Sequence, residues 1–561
     1  MEWMPKLLRQ ELATPEIKRL LHTLIGLSIV INLLLLTSPL YMLQMYDRVL
    51  TSRSEATLWA ISGIALFLLA GYGVLEIMRA RTLVSVGLAL DARFRENVFT
   101  SLFREAVHHS ETLSAQSIRD LETVRNLLSG QSLAALFDLP WAPFFIVLIF
   151  VMHPLLGSVA LGGALISLFL ALLSERTARP LVSEAGKSQI LASRFVDIGL
   201  RNADAIQANG MLANMRRRWL ENYEKSVMTG AQGADQIAAF TGVTKAFRIT
   251  MQSVMLGCGA WLALQNEVSS GAMVAASIIF GRAIAPLDQS ISASKGFISG
   301  LIACKRLEAL LERHPNDQTP MPLPAPKGAL RVEELALVPP EGRKPILQGV
   351  NFELTPGEFL AIVGPSASGK SSLARALVGL WPPAHGKVRL DGADLRQWDT
   401  DALGQHIGYL PQDVELLSGS VRENIARFGE APAAEVLKAA EQAACHELVL
   451  NLPEGYDTRL GEGGMRLSGG QSQRVALARC FFGAPALIVL DEPDSNLDVD
   501  GLAALDSTLA NMKARGTTTL LITHNVRLLR HADKALLLAN GTQSYFGPPR
   551  ELIEKLSKRP A

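Results

Sequence analysis

Six stretches of the chain run almost free of charge for about the length of a bilayer crossing, and the charged positions gather between them. The runs lie near residues 23–45, 58–78, 133–152, 155–174, 249–264 and 271–287, the last two being the weakest by hydropathy. About 20 apolar residues cross hydrocarbon as a helix, so the pattern predicts six spans. The segments 79–130 and 175–248 are long, mixed in charge and rich in arginine, including the triplet Arg216, Arg217 and Arg218. They read as helical continuations of the spans, with solvated faces. The turns near 47–55, 153–154 and 265–270 are short and hold few basic residues. That asymmetry places the long segments in the cytoplasm and the turns on the far side.

The tail before the first run carries Lys6, Arg9, Lys18 and Arg19, and the run is longer than the apolar centre of a cleaved signal peptide, with no clear small-residue cleavage site. It is expected to be a retained span. Six spans return both chain ends to one side; five would separate them. Gly281 and Pro286 interrupt the sixth run, as a membrane helix tolerates when neighbours satisfy the freed backbone groups. Asn32, Arg282 and Asp288 are costly in lipid and are expected to face a central path or a partner helix, or, for the last two, the headgroups.

After residue 313 the pattern breaks. Residues 314–328, HPNDQTPMPLPAPKG, read as an extended linker. From 329 strand-like and helical segments alternate, which indicates an α/β domain. The expected organisation is therefore 1–313 an all-α membrane domain, 314–328 a linker and 329–561 an α/β domain.

Composition agrees with a membrane protein. Of 561 residues 48% are apolar, the mean hydropathy is +0.22, and the formal charge of +1 gives no case for nucleic acid as a partner. Cys258, Cys304, Cys445 and Cys480 are scattered, with neither metal-ligand spacing nor the density of a disulfide scaffold. No internal repeat is evident, so the α/β domain occurs once.

The chemistry is concentrated in that domain. Gly364, Pro365, Ser366, Ala367, Ser368, Gly369, Lys370 and Ser371 match G-x-x-x-x-G-K-[ST], after the apolar run 359–363 and before a helical pattern that begins at Ser372 and reaches 380. Glycines let successive backbone N–H groups wrap a polyphosphate, and the helix N-terminus adds partial positive charge. Lys370 is expected to reach the outer phosphates and the Ser371 hydroxyl to ligate Mg²⁺. The run 486–490, ALIVL, reads as a buried parallel strand delivering Asp491 and Glu492 at its carboxyl end. Asp491 is expected to hold Mg²⁺ through water, and Glu492 to polarise the attacking water.

Between these sites stands LSGGQ, residues 467–471, and with it the chain resembles the ATP-binding cassette family. The resemblance extends to Gln412 in YLPQD, to SNLD at 495–498 and to His524 after TLLIT, which look like the glutamine loop, the D-loop and the histidine switch. It implies that Ser468, Gly469, Gly470 and Gln471 close over the γ-phosphate held by a second cassette, hence a homodimer burying two ATP molecules. It also implies that Gln412 senses metal and attacking water, and that His524 contacts the γ-phosphate. Short coupling helices are implied near 110–119 and 205–212. One departure is LVPP at 337–340, where the family usually has an aromatic residue against adenine.

Fusion of spans and cassette in that order resembles an exporter of the type I/IV fold. SPLYMLQMYDRVL at 38–50, NADAIQANGMLANMRRRW at 202–219 and DEPDSNLD at 491–498 resemble the PrtD-like ATPases of bacterial type I protein secretion. That resemblance implies a homodimer in a Gram-negative inner membrane, with the cassettes in the cytoplasm. Its partners would be a periplasmic adaptor protein, an outer-membrane channel and membrane lipid, and it would export unfolded protein bearing an uncleaved carboxyl-terminal signal. The tail is too short for the peptidase-like domain of some relatives. A lipid or drug exporter of the same architecture, or a membrane-anchored regulatory ATPase that transports nothing, are the alternatives.

Overall fold

The computed structural model describes residues 14–108, 116–313, 323–339, 342, 344–461, 464–495 and 497–557. It divides into a helical amino-terminal unit and an α/β carboxy-terminal unit.

Six helical stretches of the first unit are long and apolar enough to cross a membrane: Pro15–Ser52, Glu55–Val107, Gln116–Met152, Pro154–Arg201, Leu212–Leu264 and Ser270–Ser292. Each apolar run of the sequence falls in one of them. The second, fourth and fifth continue far past their apolar parts; at about 1.5 Å per residue, 53 residues extend for about 80 Å. A seventh helix, Ser294–Arg313, follows, and Arg306 grips the buried Asp120 of Gln116–Ser129 through two hydrogen bonds of 2.7 and 2.6 Å.

The turn expected at 47–55 is smaller than the sequence suggested. Helix runs through a π-helical turn, Met45–Val49, to Ser52, and reversal is confined to Arg53, at φ 50°, and Ser54. The Asp47 carboxylate explains why charge does not end the helix. It accepts from Ser269 Oγ at 2.6 Å and from the Gly271 backbone N–H at 2.9 Å, capping the sixth span. Nearby, His153 Nδ1 accepts from the Leu155 N–H at the start of the fourth span while Nε2 lies 3.1 Å from Glu267.

Several polar residues in the spans have partners. Asp138 accepts from Arg79 with both oxygens at 2.9 Å, from Asn32 Nδ2 at 2.9 Å and from Ser28 Oγ at 2.9 Å, tying the first three spans together. Arg79 also donates to Glu76 at 2.7 Å. Asp288 pairs with Arg248 at 3.2 Å, whereas Arg282 is exposed. Of the segment implied at 110–119, residues 110–115 lie outside the described residues. At 205–212 the structure has a short helix, Ala203–Ala208, a turn with Gly210 at φ 64° and the start of the fifth span.

The second unit is built on a ten-stranded sheet. Its strands are β1 Leu330–Leu337, β2 Leu347–Leu354, β3 Phe359–Val363, β4 His385–Leu390, β5 Ala393–Asp394 and β6 Ile407–Leu410, joined by β9 Leu487–Asp491, β10 Thr518–Ile522, β11 Lys534–Ala539 and β12 Thr542–Gly547. The pair β7 Gly419–Ser420 and β8 Arg459–Leu460 stands apart. The sheet order is β5-β4-β1-β2-β12-β11-β3-β10-β9-β6. Strands β11, β3, β10, β9 and β6 are parallel, and β3, β9 and β10 are buried at every residue, as continuous apolar runs require when both faces are covered. One core, with Leu490, Leu521 and Val475, covers one face; another, with Leu360, Val489 and Leu373, covers the other. Thus β3, β10 and β9 lie side by side with their carboxyl ends at one edge, where ligands of such sheets bind.

Two element boundaries differ from expectation by one to three residues. Helix α1, Lys370–Leu377, starts at the motif lysine itself and stops before Gly379, whose φ of 78° is left-handed. Strand β9 includes Asp491, which pairs with Ile522 in the ladder. Of the expected linker, 314–322 lie outside the described residues and 323–328 have no regular structure.

Candidate functional site

The loop between β3 and α1 is shaped by backbone that few residues tolerate. Gly369 sits at φ 95° and Ala367 at φ 61°. A Cβ at Gly364 would stand 2.3 Å from the Leu538 carbonyl oxygen and 2.8 Å from Ser368 Oγ, so only glycine fits there. Pro365, Ser366 and Ala367 are exposed, Gly364, Ser371 and Ser372 half-buried, and Ser368, Gly369 and Lys370 buried. Lys370 Nζ donates to the carbonyls of Gly364 and Pro365, both at 2.9 Å, which holds the ammonium inside the loop. Burial lowers the Lys370 pKa, against the opposing pull of Glu492 and Asp491.

Two strands from β3, across β10, Asp491 is 1% exposed. Burial pushes its carboxyl up and the Glu492 charge adds to this, while a hydrogen bond from Ser371 and the charges of Arg375 and Lys370 oppose it. Its Oδ1 is buried with no hydrogen-bond partner, and so is Ser368 Oγ. A buried orphaned carboxylate oxygen beside a hydroxyl is a mismatch that a bound cation resolves. Magnesium sites of phosphate-binding enzymes take one or two carboxylates plus phosphate oxygens, so the donor set fits Mg²⁺. Among the described residues no cluster of three or more His, Cys, Asp or Glu could hold a metal alone.

Glu492 leaves the strand with φ 49°, a left-handed conformation unusual for a side-chain-bearing residue at a strand end. Its carboxylate is fixed from two sides, Oε2 accepting from Gln412 Nε2 at 3.0 Å and Oε1 lying 3.2 Å from His524 Nε2. The Glu492 N–H donates to the Ile522 carbonyl at 3.0 Å. Residues 80 and 32 positions from Glu492 in sequence thus meet at one carboxylate. Gln412, Lys370, Ser371, Asp491, Glu492 and His524 form one site.

LSGGQ stands at the start of a helix. Ser468 caps helix α2, Gly469–Phe481, in a reciprocal box: its Oγ accepts from the Gln471 N–H at 3.3 Å and its N–H donates to Gln471 Oε1 at 3.0 Å. Ser468 and Gly469 are exposed, Gly470 and Gln471 half-buried. Among the described residues no side-chain hydrogen bond or ion pair joins 468–471 to Lys370, Asp491 or Glu492. Asp498 caps helix α3, Val499–Arg515, by accepting from the Gly501 N–H at 2.8 Å, while Asn496 lies outside the described residues. Of LVPP, Leu337 is buried in the sheet, Val338 and Pro339 are half-buried, and Pro340 lies outside the described residues.

The family model for the ABC transporter matches residues 347–495, and that for the ABC transporter transmembrane region matches 21–287. The type I secretion system ATP-binding protein PrsD of Rhizobium meliloti (strain 1021) is 40% identical over 528 residues, 94% of this chain and 91% of that protein. The chain belongs to the ABC transporter family, in its type I secretion branch. The leukotoxin translocation ATP-binding protein LktB of Mannheimia haemolytica is 28% identical over 96% of this chain and 76% of its own. A structure of a bacterial Atm1-family ABC exporter with ATP bound shares the fold at TM-score 0.84, with 21% identity over 96% of each chain. As expected from the motifs, the exporter is an ATPase whose hydrolysis drives transport, with six apolar helices followed by an α/β nucleotide-binding domain.

Two supporting residues had not been singled out by sequence. Gln473, 3% exposed on α2, donates from Nε2 to the carbonyl of Pro493 at 2.6 Å and more weakly to that of Glu492 at 3.3 Å. Thr523 Oγ1 donates to Asp494 at 3.0 Å and accepts from the Asn525 N–H at 2.9 Å, shaping the turn that carries His524. The only signal for Gln473 was a polar residue on the apolar face of a helix, among Val475, Ala476 and Leu477.

Proposed function

We propose that this exporter works as a homodimer in the bacterial inner membrane, cassettes in the cytoplasm, moving unfolded protein with an uncleaved carboxyl-terminal signal to a periplasmic adaptor and an outer-membrane channel. The observation supporting the dimer is that Ser468 is exposed on its own chain, with no side-chain hydrogen bond or ion pair to Lys370 among the described residues. An exposed capped helix N-terminus suits the γ-phosphate of ATP bound by the partner cassette. Ser468, Gly469, Gly470 and Gln471 act there in trans, and twofold symmetry makes two such sites.

In each site Gly364 to Ser372 wrap the phosphates, and Lys370 turns from the loop carbonyls to the β- and γ-oxygens. Ser371, Gln412 and Asp491 would hold Mg²⁺, which would supply positive charge beside the transferred phosphoryl group. Glu492 orients water for in-line attack and takes up its proton. Gln412 and His524, already touching that carboxylate, set its direction, and His524 stabilises the γ-phosphate as negative charge shifts. Val338 and Pro339 offer the base apolar contact without a stacked ring.

The basic segments beyond the spans support the cytoplasmic placement of the cassettes. The purified dimer's ATPase, measured with carboxyl-terminal peptides of proteins encoded beside this chain, tests the substrate class. A peptide should change the rate saturably; stimulation by lipids or small amphiphiles alone would refute the protein substrate.

A further inference from the structure

Within the membrane unit an apolar cavity of about 240 Å³ opens beside a groove of about 550 Å³, and Leu172 and Glu175 line both. They are two lobes of one depression, of the size small-molecule sites occupy, about 300–1,000 Å³. The inner lobe is walled by Leu136, Leu168, Leu287, Ile291 and Phe297 from three spans and the seventh helix. The outer lobe is lined by Arg176, Arg179 and Lys305, with Glu175, 3.8 Å from Arg179, the one carboxylate. Arg176 and Lys305 are exposed.

The lobes meet where the apolar run of the fourth span ends, at Ser174, and its charged continuation begins. That is the headgroup level of the leaflet toward which the arginine-rich segments point. We propose that this depression binds one anionic glycerophospholipid of the inner leaflet. An acyl chain fills the inner lobe, and the phosphate headgroup lies among Arg176, Arg179 and Lys305. Free phosphate would meet the cations but leave the apolar inner lobe unfilled, which commits the site to lipid.

The test uses the purified full-length protein in neutral detergent, stripped of lipid and offered phosphatidylglycerol, phosphatidylcholine of the same chains, or inorganic phosphate. Bound lipid is read by native mass spectrometry. Each basic residue at a membrane surface strengthens anionic-lipid binding about fivefold, so Arg176→Gln with Arg179→Gln should weaken phosphatidylglycerol about 25-fold and leave phosphatidylcholine unchanged. Ala171→Phe, which fills the inner lobe, should lower retention of both lipids without changing basal ATPase activity. Equal retention of the two lipids by the unaltered protein would overturn the proposal. So would displacement of phosphatidylglycerol by inorganic phosphate, or a disulfide between Leu172→Cys residues of two copies, which would show that the depression is covered by a second chain. These outcomes are read separately from peptide-stimulated ATPase.

Discussion

Gln473→Met isolates the bracing of Glu492, the carboxylate we propose to be catalytic, from stability. The side chain is buried, and Met conserves its length and most of its volume. What is lost is the 2.6 Å hydrogen bond to the Pro493 carbonyl; the Glu492 carbonyl keeps the Ser495 N–H at 3.2 Å. One buried acceptor left unpaired costs about 1–3 kcal/mol. Against that, Gln473 Oε1 is itself buried without a partner, and removing it relieves a penalty of the same kind. The net change in folding stability should therefore stay within about 1 kcal/mol. Catalysis should respond more strongly, because Glu492 is held in a left-handed conformation that costs about 1–3 kcal/mol and relaxes when its neighbour's carbonyl is released. Misplacement worth about 1.4 kcal/mol lowers kcat about tenfold. Steady-state ATPase of the reconstituted protein gives kcat and KM, and thermal unfolding followed by tryptophan fluorescence gives stability. The expected result is kcat down about tenfold, KM little changed and Tm nearly constant. A native kcat, or a loss of stability beyond about 3 kcal/mol with kcat falling only in proportion to folded protein, would refute the reasoning.

Glu492→Gln keeps the shape that Gln412 and His524 grip but removes the carboxylate we propose as proton acceptor; kcat should fall about 10²- to 10⁴-fold, with nucleotide retained in a filter-binding assay. Asp491→Asn should stabilise the nucleotide-free protein at neutral pH, because the folded-state pKa is raised and the ionised form is the costly one. That gain should vanish in urea titrations as pH falls below the unfolded carboxyl value of about 3.9, and Mg²⁺ with ATP should stabilise the unaltered protein more than the variant. Arg79→Met strands the Asp138 carboxylate and should cost about 3–5 kcal/mol in detergent unfolding, whereas adding Asp138→Leu should recover most of it.

The amphipathic and apolar periodicities gave away six spans and an α/β domain, because burial against lipid and burial inside a parallel sheet both leave long unbroken apolar runs. The phosphate loop and Asp491 were legible for a related reason: glycines at forced backbone angles and acids at strand ends mark themselves in one dimension. Met45–Val49 was not. Asp47 reads as a turn residue until Ser269 and Gly271, more than 200 positions away, are seen to satisfy it. Gln473 was hidden likewise, since its partners are carbonyls, which every sequence supplies equally.

The hydrogen-bond ladder sets Asp491 beside Ile522 and Ile522 beside Ile362. Three adjacent strands thus reach one rim in step, each handing over to its functional loop within two residues. Deleting a single residue inside Leu487–Leu490 would turn every following side chain to the opposite face and draw the carboxylate into the hydrocarbon interior. Along this strand length should therefore matter more than spelling: swaps of Ile, Val and Leu should be absorbed, while a three-base gap should silence the pump.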